Sequence, residues 1–256
     1  MLAKTIMNVL RPLFRNHVYT VRHGLAKGLK RKGGFGFVPS PLTQEEKFLI
    51  DLDLTGQTIY DMGGFHGIFT LFFARSVGKN GRVVTFEPNP KNYVKILDNI
   101  RVNHFKNAQV EPIAVGNEKG KKPLVYQRSA LGAGSLQEEI KAQFVQKRGV
   151  KTVQVEIDTL DNLIEQKSLP EPDFVKIDVE GLEMDVLLGM NETVERHKPK
   201  IFVELHGVNK QKKSENTARV TKYLIEKGYT IYHVESELSI ISRGPHTPNE
   251  GHLYCT

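Results

Sequence analysis

The sequence predicts an α/β domain with a parallel sheet covered by helices on both faces. Three observations lead there. From residue 43 onward, short apolar runs alternate with segments of helical period, the rhythm of strand–helix–strand units. Glycines cluster directly after the first of those strands. The chain has 256 residues, 39% of them hydrophobic and 25% charged, which suits one sizeable core and excludes a mainly disordered protein.

The elements follow in order. Ser40-Pro41-Leu42-Thr43 precedes a short helix, and Thr43 with Glu46 has the spacing of a capping box. A strand over 58–61 runs into a glycine turn at 63–67. Ile68, Leu71, Phe72 and Val77 then give a helix its apolar side, closed by Gly78 and Gly81. A second strand over 82–87 ends at Pro88. Tyr93, Ile96, Leu97 and Ile100 mark the next helix, and a third strand is predicted around 110–114. The rhythm breaks between 115 and 160, where strands over 124–126 and 153–157 flank the polar stretch GAGSLQEEIKAQ. This reads as an inserted hairpin or loop. It resumes with a strand over 173–177, a helix over 183–190, a strand over 201–205 and a helix over 217–226. Strands over 229–234, 238–242 and 253–255 follow.

Charge is unevenly placed. The chain carries 36 basic and 29 acidic side chains, a net +7. Residues 1–44 hold eight of the basic ones and none of the acidic, leaving 28 against 29 in the rest. A basic arm over 1–44 therefore precedes a near-neutral domain over 45–256. Within the arm, Leu2, Ile6, Val9 or Leu10, and Leu13 recur at helical spacing up to the break at Pro12, and Gly33, Gly34 and Gly36 mark a turn. The arm is expected to pack on or lid the domain. A peripheral membrane contact through residues 1–32, or a contact with an anionic substrate, is the alternative. No run approaches the roughly 18 apolar residues that span a bilayer. The start is interrupted by Lys4, Arg11 and Arg15, unlike a secretory signal, and the single Cys255 forms no internal disulfide. A reduced, cytoplasmic location is the expectation.

The first chemical constellation is Asp61-Met62-Gly63-Gly64-Phe65-His66-Gly67. Glycines let the backbone turn sharply and approach a ligand, and the next helix presents its N-terminal amides to the loop. Open α/β sheets bind ligands at that edge. Glu87 ends the second strand, 20 residues past Gly67, where a carboxylate can accept from two ribose hydroxyls. Loop plus acid point to a nucleoside cofactor. The glycine spacing departs from the dinucleotide pattern G-x-G-x-x-G. An acid at Asp61 would repel a pyrophosphate but suits an ammonium and a sulfonium, which S-adenosylmethionine carries.

IYDMGGFHGIFT, VVTFEPNPKNYVKILDNI, IDTLDNLI, PDFVKIDVEGLEMDVLLGM and KIFVELHG resemble the FkbM family of S-adenosylmethionine-dependent methyltransferases, over about residues 55–207. The KIDVEG block is the most specific part. The resemblance implies a class I methyltransferase fold, Rossmann-like with a seven-stranded mixed sheet, and O-methylation of a hydroxyl. It places Asp61, Gly63, Gly64 and Gly67 in the cofactor loop, Glu87 on the ribose, and Ala114 and Val115 beside adenine. The family loop commonly reads GANxG. Here Gly64 and Phe65 stand in place of its Ala and Asn.

Alternation along the KIDVEG strand puts Lys176 and Asp178 on one side, and a lysine in an apolar strand needs a partner such as Asp178 or Glu180. Glu204 and His206 point together at the end of the next strand. In the class I order those strands are neighbours, so Lys176, Asp178, Glu180, Glu204 and His206 converge. Three routes for the acceptor proton stay open: His206 as base, oriented by Glu204 or Asp178; Asp178 or Glu204 directly; or a divalent cation on Asp178, Glu204 and His206. Glu183 and Asp185 are expected to face solvent from their helix. The partner expected is a small-molecule, glycan or lipid-linked acceptor. A nicotinamide-dependent oxidoreductase is weakened by the glycine spacing and Asp61. A nucleic-acid methyltransferase is weakened by the near-neutral body and the absence of Asn-Pro-Pro-Tyr and Asp-Pro-Pro-Tyr.

Overall fold

The computed structural model describes residues 14, 16–33, 41–127, 134–136, 150–240 and 251–256. The amphipathic stretch over 2–13, the glycines at 34 and 36, and most of GAGSLQEEIKAQ lie outside them.

The central strands are the most apolar. β3 (Thr58–Met62), β4 (Arg82–Phe86), β10 (Phe174–Ile177) and β11 (Lys200–Glu204) are almost wholly buried, as strands covered on both faces are. β3 pairs in parallel with β4 and with β10, and β10 with β11. β5 (Ala108–Glu111) closes one side. On the other side β14 (His252–Cys255) lies antiparallel between β11 and β12 (Ile231–His233). The order β12-β14-β11-β10-β3-β4-β5 gives the seven-stranded mixed sheet, with β13 (Leu238–Ile240) added beside β12 as an eighth edge strand. The chain turns from one direction of growth to the other between β3 and β10. That switch point opens a crevice beyond their carboxyl ends.

Helices cover both faces. α1 (Gln44–Asp51) and α2 (Ile68–Ser76) pack Leu49, Phe72, Phe73 and Val77 on Ile59, Val83, Phe174 and Phe202. α3 (Pro90–Val102) lies against β5 through Ile96, Ile100 and Val110. α4 (Leu160–Lys167), α5 (Glu183–Gly189), α6 (Asn191–His197) and α7 (Lys210–Glu226) cover Tyr60, Val84, Val175, Ile177 and Val203 on the other face. The capping box on α1 is present: Glu46 N–H donates to Thr43 Oγ1 at 3.0 Å and Thr43 N–H to Glu46 Oε2 at 3.1 Å. α7 starts at Lys210 rather than 217, because its first turns are polar and carry no apolar period.

The predicted third strand over 110–114 is two strands. Pro112, which has no donor for a ladder, separates β5 from β6 (Ala114–Val115). β6 leaves the main sheet and joins β9 (Val150–Asp158), β7 (Gly120–Gln127) and β8 (Gly134–Ser135) in a second sheet of order β6-β9-β7-β8. The insert is thus built on a long antiparallel hairpin.

Part of the basic arm is structured. β1 (Val18–Thr20) and β2 (Lys30–Lys32) form a hairpin docked on α3, where Lys32 N–H donates to Asn99 Oδ1 at 2.9 Å and Lys32 Nζ pairs with Asp98 at 3.0 Å. Leu25 and Ala26 are buried, and Arg75 of α2 donates to the carbonyls of Leu25 and Lys27. No helix among the described residues is long and apolar enough to cross a membrane.

Candidate active site

A cavity of about 300 Å³ opens at the switch point, between the loop after β3, the acid after β4, the β6 segment and the ends of β10 and β11.

One end is built on the glycine loop. Gly63 takes φ +84°, and a Cβ there would overlap the Asp178 carbonyl oxygen. A Cβ at Gly64 would press on the side chains of Thr85 and Ile96, which would have to shift. Gly67 caps α2 in the left-handed region. Phe65 also has positive φ, +48°, and its N–H donates to Glu87 Oε2 at 2.7 Å. Glu87 Oε1 accepts from Asn89 N–H at 2.8 Å. Burial pushes the Glu87 carboxyl up to about 7, because its donors are neutral and only partly offset the loss of water. Phe86, Ala114, Val115, Leu124 and Leu136 supply an apolar wall beside it.

The other end is a carboxylate cluster around His206. Its Nε2 lies 3.4 Å from Glu204 Oε1, 3.8 Å from Glu180 Oε2 and 3.9 Å from Asp178 Oδ1. Its Nδ1–H donates to Glu183 Oε1 at 3.0 Å. Burial opposes a charge on the ring, but the bonds to Glu183 and Glu204 outweigh it and hold His206 up to about 11. Glu204 is kept well below the usual carboxylate range: burial works against its charge, and His206 and His252 overcome it. His252 faces Glu204 directly in the antiparallel β11–β14 ladder. It also meets Glu45 of α1 at 3.3 Å and Glu235 at 2.5 Å. Asp178, Glu204 and His206 each offer one ligand atom within 4.8 Å of the others.

Of the expected site residues, Gly63, Glu87, Ala114, Val115, Asp178, Glu180, Glu204 and His206 line the cavity. Asp61 and Lys176 do not. They are register partners on β3 and β10, pointing under α2, where Thr70 Oγ1 donates to Asp61 at 2.8 Å. Lys176, 1% exposed, donates to Asp178 Oδ2 at 3.0 Å and lies over the Phe69 ring. The Asp61 carboxyl is thus held on Thr70 of α2, and the Lys176 ammonium on Asp178. Gly64 and Gly67 shape the loop without lining the cavity. Glu183 corrects an expectation: it is fully buried rather than solvent-facing, and it also accepts from Gly181 N–H and Asn216 Nδ2. His252 and Glu45 were not foreseen either. The signal for His252 lay in the pairing of the last strand with β11, which sequence alone does not fix.

Strand order and the cavity at the switch point define a class I methyltransferase fold. A family model described as the methyltransferase FkbM domain matches residues 61–231, well over half of the chain. The chain belongs to that family. It is similar to Methyltransferase 1 of Beauveria bassiana, 27% identical over 146 residues, covering 52% of this chain and 58% of that protein. Hexuronic acid methyltransferase AglP of Haloferax volcanii is 27% identical over 124 residues, 48% of this chain and 47% of that one. The matches thus span about half of the curated relatives' length. Among solved structures, methyltransferase FkbM from Methylobacillus flagellatus KT superimposes with a TM-score of 0.52 at 17% identity, covering 80% of this chain and 45% of that one.

Proposed function

We propose that this protein is an S-adenosylmethionine-dependent O-methyltransferase acting on a hydroxyl of a glycan or other polyol. The observation that carries the reading is one cavity with two unlike acidic ends, Glu87 at one and the His206 cluster at the other. The residues fit the cofactor. Glu87 keeps carboxylate lone pairs for ribose hydroxyls beyond its two backbone donors, Ala114 and Val115 border an apolar slot for adenine, and Gly63 lets the backbone close in. When bound, S-adenosylmethionine supplies an electrophilic methyl group on a positively charged sulfur.

The chain's own part is to orient the acceptor hydroxyl and take its proton. A ring held protonated cannot accept one, so His206 is the orienting donor and the base is a carboxylate. Asp178 is the best placed. Its Oδ2 is committed to Lys176, while Oδ1 faces His206 at the cavity wall. Asp178, Glu180 and Glu204 line the same cavity, so an acceptor that presents a hydroxyl meets less repulsion there than one that presents a carboxylate. The sugar acid named for the Haloferax relative supports a sugar acceptor in kind.

Calorimetry with S-adenosylhomocysteine and with NAD tests the cofactor. Binding to the first alone is expected, and NAD binding without it overturns the reading. Asp178→Asn should lower methyl transfer to a panel of sugar hydroxyls by roughly 10²-fold or more while sparing S-adenosylhomocysteine affinity. Transfer that survives excess chelator supports the carboxylate base, whereas its loss shifts the role of Asp178, Glu204 and His206 to holding a divalent cation.

A further inference from the structure

Phe65 combines two unfavourable features on one wall of the cavity. Its backbone is left-handed at φ +48°, a conformation that is costly for a bulky side chain. The residue is 42% exposed, one of the few large hydrophobic residues left in solvent among the described ones. Local structure gives no reason for an aromatic here. Asparagine, which the family loop commonly carries, tolerates this backbone far better. The ring is nevertheless fixed. The backbone N–H of Phe65 is tied to Glu87, and the ring stacks on the His66 imidazole with centroids 3.8 Å apart and planes 22° apart. His66 Nε2 in turn lies 3.2 Å from Lys95 Nζ. Backed by an imidazole, Phe65 lines the cavity next to the acid that fits a ribose.

We propose that Phe65 is a specificity residue for the nucleoside half of the cofactor, a fixed aromatic platform that the bound ribose and adenine cover. The assignment rests on the S-adenosylmethionine reading above. Covering the ring removes apolar surface from water and gives a π-face a partner, which offsets the backbone strain on binding.

Calorimetry on the full chain with S-adenosylhomocysteine and with adenosine tests this in Phe65→Asn and Phe65→Tyr. The asparagine variant suits the backbone and should melt no lower than wild type, yet bind both ligands about 10-fold more weakly. The tyrosine variant keeps the ring and should stay within about 3-fold of wild type. Wild-type affinity for S-adenosylhomocysteine in the asparagine variant overturns the assignment. A tyrosine variant as weak as the asparagine one does so too. Loss for S-adenosylhomocysteine with adenosine unchanged would put the ring against the amino-acid half instead, and refute the nucleoside contact. A wild-type chain that binds neither ligand defeats the cofactor reading itself, and the platform with it.

Discussion

Glu87 and Glu204 sit at the carboxyl ends of parallel strands in one sheet, and their surroundings drive them in opposite directions. Glu87 is 5% exposed and meets only neutral donors, so burial lifts its carboxyl to about 7. Glu204 lies between two imidazolium rings, whose charge and hydrogen bonds overcome burial and hold it ionised. The difference teaches that burial alone does not set the state of a carboxyl in this cavity. The charge of the partner does. Glu87 can thus change its charge near neutral pH, while Glu204 keeps its own.

The contrast can be broken from either side. Glu204→Gln should have the largest effect, about 2 kcal/mol of lost stability in denaturant unfolding. That is below the usual range for breaking a buried pair, because 34% of its side chain is in solvent. Glu87→Gln should do the opposite. At pH 8 it removes a carboxylate that burial disfavours, raising stability by about 1 kcal/mol while weakening S-adenosylhomocysteine binding. A loss of stability in both variants would erase the distinction.

The pH dependence of wild-type melting gives a third test, read on the unmodified chain. His206 and His252 have folded values of about 11 and about 10 against an ordinary 6.5. Their stabilisation is complete below pH 6.5 and is lost as pH rises through 10 to 11. Glu87, also raised, contributes most below its ordinary 4.5 and loses that contribution as pH rises through 7. Melting should therefore decline in two stages, and Glu87→Gln should abolish only the first.

Much of the site was legible because strands alternate. Two-residue spacing put Lys176 with Asp178 and Glu204 with His206, and the sheet keeps both pairs together. The same rule, carried across to the neighbouring strand, puts Asp61 on the face of Lys176, under α2. Glu183 stayed hidden because α5 is only seven residues long, too short for its period to tell an inward carboxylate from an outward one. In the fold, Pro112 ended β5 at Glu111, so the one strand expected over 110–114 became two.

The contact between Gly63 and the Asp178 carbonyl has a consequence for how such a protein can diverge. The glycine loop after β3 and the turn that carries Asp178 share one wall, with no room for a single carbon between them. Neither can be remodelled by itself, since a change in the path of one collides with the other. The segments free to vary independently are those on the far side of the cavity, Leu124 and Leu136 among them, in the inserted sheet. Change can thus gather in the insert, while the two turns at the switch point have to change together.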